Sequence, residues 1–175
     1  MDKRDSNILL LLRYALNVTE EPPQFTEDEW QQLFEDSCRH TLVGVLFEGI
    51  QRLQKQDKTL CPPLLLMLRW VGDAENVVLL SREMNAEAAR LTNLLEHEGH
   101  NTVILKGQAN ALLYPQPQRR QPGDIDIYVS GGKESVISTL RRLGMMDDKT
   151  DVGYHHVSLE RRYPAFGNLV PRDVA

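Results

Sequence analysis

Residues 101–129 read NTVILKGQANALLYPQPQRRQPGDIDIYV, and the expected structure of the whole chain is best approached from this stretch. The short apolar run Thr102–Leu105 is typical of a buried strand. Lys106 and Gly107 follow it, and the next residues indicate a helical turn. A loop rich in Pro, Gln and Arg then leads to a second strand that begins at Asp124. The stretch therefore predicts a strand, a helix and a second strand in close succession.

Two aspartates, Asp124 and Asp126, lie at the start of the second strand. Successive side chains of a strand point to opposite faces, so Ile125 and Ile127 can enter a core while both carboxylates point away from it. Their Cα atoms are then roughly 6.5 Å apart, which allows both carboxylates to reach one divalent cation or a pair of cations. Mg²⁺ uses few protein carboxylates and completes its octahedron with water and phosphate oxygens. The pair predicts a site for Mg²⁺, or Mn²⁺, with a nucleoside triphosphate as partner; a solvated pair at a strand mouth is the alternative.

Basic residues and a glycine flank these carboxylates. Gly107 allows the backbone to turn sharply and approach a ligand closely, and the helix start after it offers free N–H groups to an anion. Lys106 adds a point charge, and the pair Arg119 and Arg120 adds forked donors for phosphate oxygens. We expect Lys106 and Arg120 to contact phosphate, although both can also be plain surface charges. Arg119 is expected at the surface.

The spacing of these features resembles the nucleotidyltransferase superfamily, which has a DNA polymerase beta-like fold. The shared pattern is a strand ending in Lys-Gly, a helix, an arginine four residues before Asp124, and an Asp-Ile-Asp-Ile strand. Over about residues 102–160 the chain looks like a bacterial group described as uncharacterised nucleotidyltransferases. The resemblance implies Mg-dependent transfer of a nucleoside monophosphate from a nucleoside triphosphate to an acceptor hydroxyl, with pyrophosphate as the leaving group.

The resemblance also implies a role for each site residue. Asp124 and Asp126 would hold the metal and serve catalysis. The residues that would cradle the triphosphate are Lys106, Gly107 and Arg120.

Two positions depart from the superfamily pattern. The helix usually opens with Gly-Ser or Gly-Gly, whereas Gln108 follows Gly107 here, so no hydroxyl is available to phosphate at that point. A third catalytic carboxylate usually comes from a neighbouring strand, and Glu160 is the candidate nearest to the expected position. Two arginines follow Glu160 and can pair with it instead. We therefore expect a weak metal–nucleotide site with little turnover, as in a truncated relative of a longer enzyme.

Before this stretch, apolar residues recur at helical spacing from the N-terminus to Gly99. Thr26 and Glu29 predict a capping box at one helix start. The helix that begins at Leu64 either continues through Gly72 or restarts there. After the second strand we expect a further helix, and then a third strand over roughly residues 152–159.

These elements predict an α+β protein with three parts. Residues 1–99 would form a helical subdomain, and residues 100–160 a small nucleotidyltransferase-like mixed sheet with flanking helices. Residues 161–175 would form an irregular C-terminal tail.

Composition limits the binding partners and the cellular compartment that we expect for this protein. A net charge of −5 over 175 residues argues against a general nucleic-acid binder, so duplex nucleic acid is not an expected partner. Cys38 and Cys61 lack metal-binding spacing and are expected to be reduced core thiols, with a disulfide as the minor alternative. The apolar run at residues 8–12 is too short to cross a membrane, so we expect a cytoplasmic protein.

Two other classes of function stay open at this point. A catalytically degenerate transferase fold can act as a nucleotide- or protein-binding module, although the motif favours an enzyme. A toxin-type or protein-modifying transferase can use a protein side chain as its acceptor. The metal motif does not encode the acceptor pocket, so both a small molecule and a protein are possible acceptors.

Overall fold

The computed structural model describes residues 3–154 and 156–159, with the side chains described from Ser6 onward. Four helices come first: α1 (Lys3–Ala15), α2 (Glu27–Arg39), α3 (Val43–Gln56) and α4 (Leu64–His97). The later elements are β1 (Thr102–Leu105), α5 (Lys106–Ala111), a 3₁₀ turn (Pro117–Arg119), β2 (Asp126–Val129), α6 (Lys133–Arg142), β3 (Asp151–Val152) and β4 (Val157–Ser158). This order of elements confirms the predicted α+β class with a helical N-terminal part.

The described residues divide into two compact units. The first unit holds residues 3–94 and 103–128, and the second holds residues 95–102, 129–154 and 156–159. The domain boundary that the sequence predicts between residues 99 and 100 stays a prediction. The predicted tail, residues 161–175, lies outside the described residues.

The start of α2 has the predicted capping box. The Thr26 side-chain oxygen accepts a hydrogen bond from the Glu29 N–H at 3.3 Å, and the Glu29 carboxylate accepts one from the Thr26 N–H at 2.9 Å. Both donors belong to backbone groups that have no partner within the helix. The chain therefore enters α2 at a residue that the sequence alone identifies.

The end of α2 differs from the prediction for its cysteine. Cys38 is exposed, so its assignment as a core thiol is wrong; in this last turn the buried positions are Asp36 and Ser37 instead. Cys61 is half-buried, and both cysteines are free thiols.

Aromatic rings form the centre of the core of the first unit. Trp70 of α4 is completely buried and packs edge-to-face on Trp30 and Phe34 of α2, with ring centroids 6.3 Å and 5.2 Å away. Its indole N–H donates to the carbonyl of Val43 at 3.1 Å, which satisfies the polar atom of the buried ring. Trp70 thus connects α4 to both α2 and α3.

The fourth helix runs without interruption for 34 residues. Gly72 lies inside it, where a glycine costs about 1 kcal/mol relative to alanine. A Cβ added to Gly72 would meet no atom within 4 Å, so no close packing accounts for the glycine. Of the two possibilities that the sequence leaves open, the helix continues. Among the described residues, no helix has the length and the apolar composition needed to cross a membrane.

The strands form two separate two-stranded antiparallel sheets, β1 with β2 and β3 with β4. The single third strand predicted over residues 152–159 is wrong, because Asp151 pairs with Ser158 and Val152 with Val157. The chain turns back between these strands. There the ring of His156 occupies the space that a Cβ of residue 153 would fill, and the glycine at that position makes the turn possible.

The second unit is held together by polar contacts around His100. This histidine is buried, with its Nδ1 2.7 Å from the carbonyl of Ser130 and its Nε2 3.0 Å from the hydroxyl of Thr139. In the same unit, Arg142 of α6 donates a hydrogen bond to Glu98, and this contact holds the pKa of the Glu98 carboxyl below its ordinary value.

Candidate functional site

The first strand ends in a strained turn at Lys106 and Gly107. Lys106 has a φ of +40°, in the left-handed region, which costs a non-glycine residue about 1–3 kcal/mol. Gly107 has a φ of 6° and a ψ of −95°, so regular helix begins only after it. The helix α5 has six residues, and its dipole is correspondingly small. The turn itself, more than a helix N-terminus, is therefore the feature available to a ligand.

Gly107 is packed against the start of the aspartate strand. A Cβ at this position would lie 3.2 Å from the carbonyl oxygen of Asp124, which is tighter than ordinary van der Waals contact. Glycine is thus favoured at this position because the backbones of residues 107 and 124 approach each other. The sequence suggests a different reason for the glycine, the close approach of a ligand. The close approach fixes the Lys-Gly turn beside the aspartates.

Lys106 and Asp126 form an ion pair across the sheet. Lys106 Nζ lies 3.4 Å from Asp126 Oδ2, and the two side chains are 74% and 31% exposed. Ion pairs of this exposure contribute little to stability, so the lysine can leave its carboxylate at small cost. Asp124 is exposed and lies just before β2. The structure thus brings Lys106, Gly107, Asp124 and Asp126 together.

The strands beneath this turn are less buried than the sequence predicts. In β1, Val103 and Leu105 are 54% and 43% exposed, so the prediction of a buried strand is wrong for one of its faces. The strand β2 begins at Asp126 rather than at the predicted Asp124. Within it Ile127 and Val129 are half-buried and Tyr128 is exposed, as predicted, but Asp126 is half-buried as well. One face of β1 therefore has no cover within the described part of the chain.

The structure describes Arg120 but not Glu160. Arg120 is half-buried, and its guanidinium donates to the carbonyl of Gln121 at 3.4 Å. Its contact with phosphate stays a prediction. Glu160 lies outside the described residues, so its assignment as the third carboxylate also stays a prediction.

Arg119 is not a surface residue, which corrects the expectation from sequence. Its side chain is only 13% exposed. The guanidinium donates to Glu48 of α3 at 3.0 Å and to Glu75 of α4 at 2.8 Å, and its centre lies 5.2 Å from the ring centroid of Phe47. The signal for this burial is non-local, because both carboxylates lie far from Arg119 in the sequence.

The backbone of Arg119 is also in close contact with α3. A Cβ on Gly44 would collide with the carbonyl oxygen of Arg119, and only a glycine leaves room for this approach. The 3₁₀ turn that ends at Arg119 is therefore attached to the helices of the first unit through both its side chain and its backbone.

A comparison with protein families identifies the family of this chain. The sequence profile of a family described as "Uncharacterised nucleotidyltransferase" matches residues 26–170. The chain belongs to this nucleotidyltransferase family. The match extends well before residue 102, so α2, α3 and α4 are part of what the family shares. No match was found among curated proteins or among solved structures.

The carboxylates of this nucleotidyltransferase chain suit a hard cation. Asp124 and Asp126 offer oxygen ligands, and within residues 3–154 and 156–159 no third His, Cys, Asp or Glu joins them in a metal-binding cluster. Mg²⁺ tolerates so few protein ligands because water and substrate phosphates complete its coordination. Zinc prefers nitrogen and sulfur ligands, which this turn lacks. The residues therefore fit Mg²⁺ or Mn²⁺ that arrives with a triphosphate.

Gln108 is a further polar residue at this turn. Both its amide oxygen and its amide nitrogen are buried, and neither has a hydrogen-bond partner among the described residues. Buried amide groups without partners are uncommon in folded proteins. The sequence marks Gln108 only as a departure from the usual Gly-Ser or Gly-Gly.

Arg119 also lines a crevice in the first unit. Its cavity volume is about 10 Å³, far below the roughly 300 Å³ at which small-molecule pockets usually begin. It is lined by Ala15, Leu16, Val45, Glu48, Tyr114, Pro115, Gln116 and Arg119. A nucleoside triphosphate does not fit such a space.

Proposed function

We propose that this family member binds a Mg-nucleoside triphosphate at the turn of Lys106 and Gly107 and transfers the nucleoside monophosphate to an acceptor hydroxyl. One observation carries the proposal: Lys106 pairs with Asp126 while Gly107 packs on Asp124. The Lys106 ammonium and the Asp126 carboxylate thus meet at an exposed, strained turn, and the backbone of Asp124 packs against the same turn. Membership of a nucleotidyltransferase family supports the nucleotide as substrate.

Lys106 can exchange its carboxylate for a phosphate. Its side chain is mostly exposed, and the 3.4 Å contact to Asp126 is easily replaced. With a cation held by Asp126, Lys106 would be released from this carboxylate and would direct its charge to the distal phosphates. Arg120 would supply a second, forked donor from the loop that precedes the aspartates.

The proposed reaction is a single displacement at the α-phosphorus. The acceptor oxygen forms a bond to phosphorus while the bond from phosphorus to the bridging oxygen breaks, and pyrophosphate carries away the electron pair. Bound Mg²⁺ supplies charge neutralisation for the phosphate oxygens. Asp124 and Asp126 hold it in place, while Lys106 and Arg120 orient the triphosphate. The acceptor proton passes to a carboxylate base, the role expected of Glu160.

A labelling experiment tests the transfer. The purified protein is incubated with each α-labelled triphosphate, Mg²⁺ or Mn²⁺ and a lysate as the source of acceptor. We expect slow, metal-dependent labelling by the unmodified protein and by Asp148→Asn, an exposed control carboxylate. The double variant Asp124→Asn/Asp126→Asn should give none. Equal labelling by that double variant would refute the proposed roles of the two aspartates.

A noncatalytic nucleotide-binding module is the second candidate. It rests on the same two carboxylates, Asp124 and Asp126, because the described residues form no metal-binding cluster of three or more His, Cys, Asp or Glu. If both hold the metal, neither is free to act as a base. Metal-dependent binding of a triphosphate without labelling of any acceptor would support this candidate over the transferase.

A further inference from the structure

The segment that carries Arg120 is held by Arg119, its neighbour in sequence. The Arg119 side chain is 13% exposed and reaches carboxylates on two different helices. Glu48 is 24% exposed and Glu75 is 55% exposed, so the Glu48 pair is the better shielded of the two. Partial burial strengthens such pairs relative to those at an open surface.

The backbone contact makes this attachment stiff. The carbonyl of Arg119 lies where a Cβ of residue 44 would be, so the turn is in direct contact with α3. Within the turn, the N–H of Arg119 donates to the carbonyl of Gln116 at 2.9 Å, and the N–H of Arg120 donates to that of Pro117 at 3.3 Å. A displacement of the turn would have to break the ion pairs of Arg119 and its backbone contact with α3 together.

Arg120 comes directly after this fixed point, in extended backbone. Among the described residues, its side chain makes one hydrogen bond, of 3.4 Å, to the adjacent carbonyl of Gln121, and this bond alone does not fix its direction. The direction of its guanidinium therefore depends on where Arg119 holds the backbone. A donor held in advance loses less entropy when it binds an anion.

We propose that Arg119 is a positioning residue of the triphosphate site. Its ion pairs to Glu48 and Glu75 hold the 3₁₀ turn against α3 and α4, and this hold presents Arg120 to the phosphates. The inference rests on the proposed function, because Arg120 has a ligand only if the turn binds a triphosphate. In this proposal, α3 and α4 also contribute to nucleotide binding, because they hold the turn that carries Arg120.

Hydrogen exchange tests the attachment without any nucleotide. In Arg119→Gln, the amides of Arg119 and Arg120 should exchange faster by about tenfold or more, because the turn opens locally. Glu75→Gln, a milder variant at a half-exposed site, should give a smaller increase in the same amides. Arg82→Gln, an exposed control on α4, should leave them unchanged. Unchanged exchange in both Arg119→Gln and Glu75→Gln would overturn the proposal.

A double-mutant cycle on Mg-ATP binding tests the positioning role. Arg119→Gln should weaken binding by about tenfold in the unmodified protein and have almost no effect in an Arg120→Gln background. Arg119→Lys, which keeps one charge, should restore part of the loss. Equal losses in both backgrounds would show that Arg119 acts through the fold in general and would overturn the proposal. If the unmodified protein binds no triphosphate, the proposed function is refuted and the positioning role is refuted with it. The exchange experiment still tests whether Arg119 holds the turn, because it needs no nucleotide.

Discussion

Lys106 combines an unfavourable backbone conformation with an exposed charge. Its positive φ is strained, and its ion pair with Asp126 is too exposed to compensate for that strain. A lysine that served the fold alone would gain little from this arrangement. Strain of this kind is expected at a binding turn, so it agrees with the proposed role of Lys106.

Replacement of Lys106 by alanine should separate two classes of ligand. Because the ammonium is placed to meet the distal phosphates, Lys106→Ala should weaken Mg-triphosphate binding by about tenfold and monophosphate binding by less than about twofold. Calorimetric titration with both ligands measures this difference. Equal weakening of the two would mean that Lys106 does not contact phosphate.

Gly107 can be tested against a second glycine in the same unit. Gly107→Ala forces a Cβ against the Asp124 carbonyl and should lower the free energy of unfolding by roughly 1–3 kcal/mol, with a further loss of triphosphate binding. Gly72→Ala meets no atom within 4 Å and should raise it by up to about 1 kcal/mol. Urea denaturation of both variants gives the comparison. A Gly107→Ala protein as stable as the Gly72→Ala protein would contradict the close approach.

Local sequence signals located the metal and phosphate candidates but not Arg119. The Lys-Gly turn and the alternation around Asp124 and Asp126 depend on neighbouring residues only. Both can therefore be predicted from the sequence. The partners of Arg119 lie on α3 and α4, separated from it by 71 and 44 residues. Because burial of a charge depends on such distant partners, the sequence indicated a surface arginine.

At the scale of elements, helices were easier to predict than strands. Periodic apolar residues and the capping box at Thr26 define α2, and both are local. In contrast, β3 and β4 have two residues each, and the turn between them depends on the ring of His156 packing over Gly153. The exposed face of β1 has the same origin, since the cover of a strand comes from other elements rather than from the strand itself.

Trp70 should be the most sensitive core position of α4. Trp70→Ala removes a fully buried ring that contacts two helices, and we expect the free energy of unfolding to fall by about 3–5 kcal/mol. Leu65→Ala on the same helix is a matched control, because Leu65 is 82% exposed and its loss should change stability by less than about 0.5 kcal/mol. Similar losses from the two substitutions, measured by urea denaturation, would contradict the packing described for the first unit.

The whole molecule combines a helical part with a site on a small sheet, and the family match covers both. This extent agrees with the inferred role of α3 and α4 in holding the loop before the aspartates. Helices that served only to fill space would not have to lie at a defined position relative to Arg120, whereas helices that hold its loop would. In the proposed function, the helices of the first unit and the Lys-Gly turn would therefore act together.

Turnover is expected to be low for the chain as a whole. The described residues form no metal-binding cluster of three or more His, Cys, Asp or Glu, and Glu160, the predicted third carboxylate, lies outside them. We expect the purified protein to transfer nucleotide slowly, and Glu160→Gln to remove the remaining transfer while triphosphate binding persists. Pyrophosphate release measures the rate. Rapid transfer that survives in Glu160→Gln would contradict this role.

Asp124 and Asp126 are proposed to form a metal-dependent triphosphate site. Its most direct test is calorimetric titration of Mg-ATP and Mg-CTP into the unmodified protein, Asp124→Ala and Asp126→Ala, with circular dichroism as the check on folding. We expect the unmodified protein to bind both triphosphates and this binding to disappear when Mg²⁺ is chelated. Both variants should lose the binding and keep the fold. Unchanged binding in both variants would rule out the proposed site.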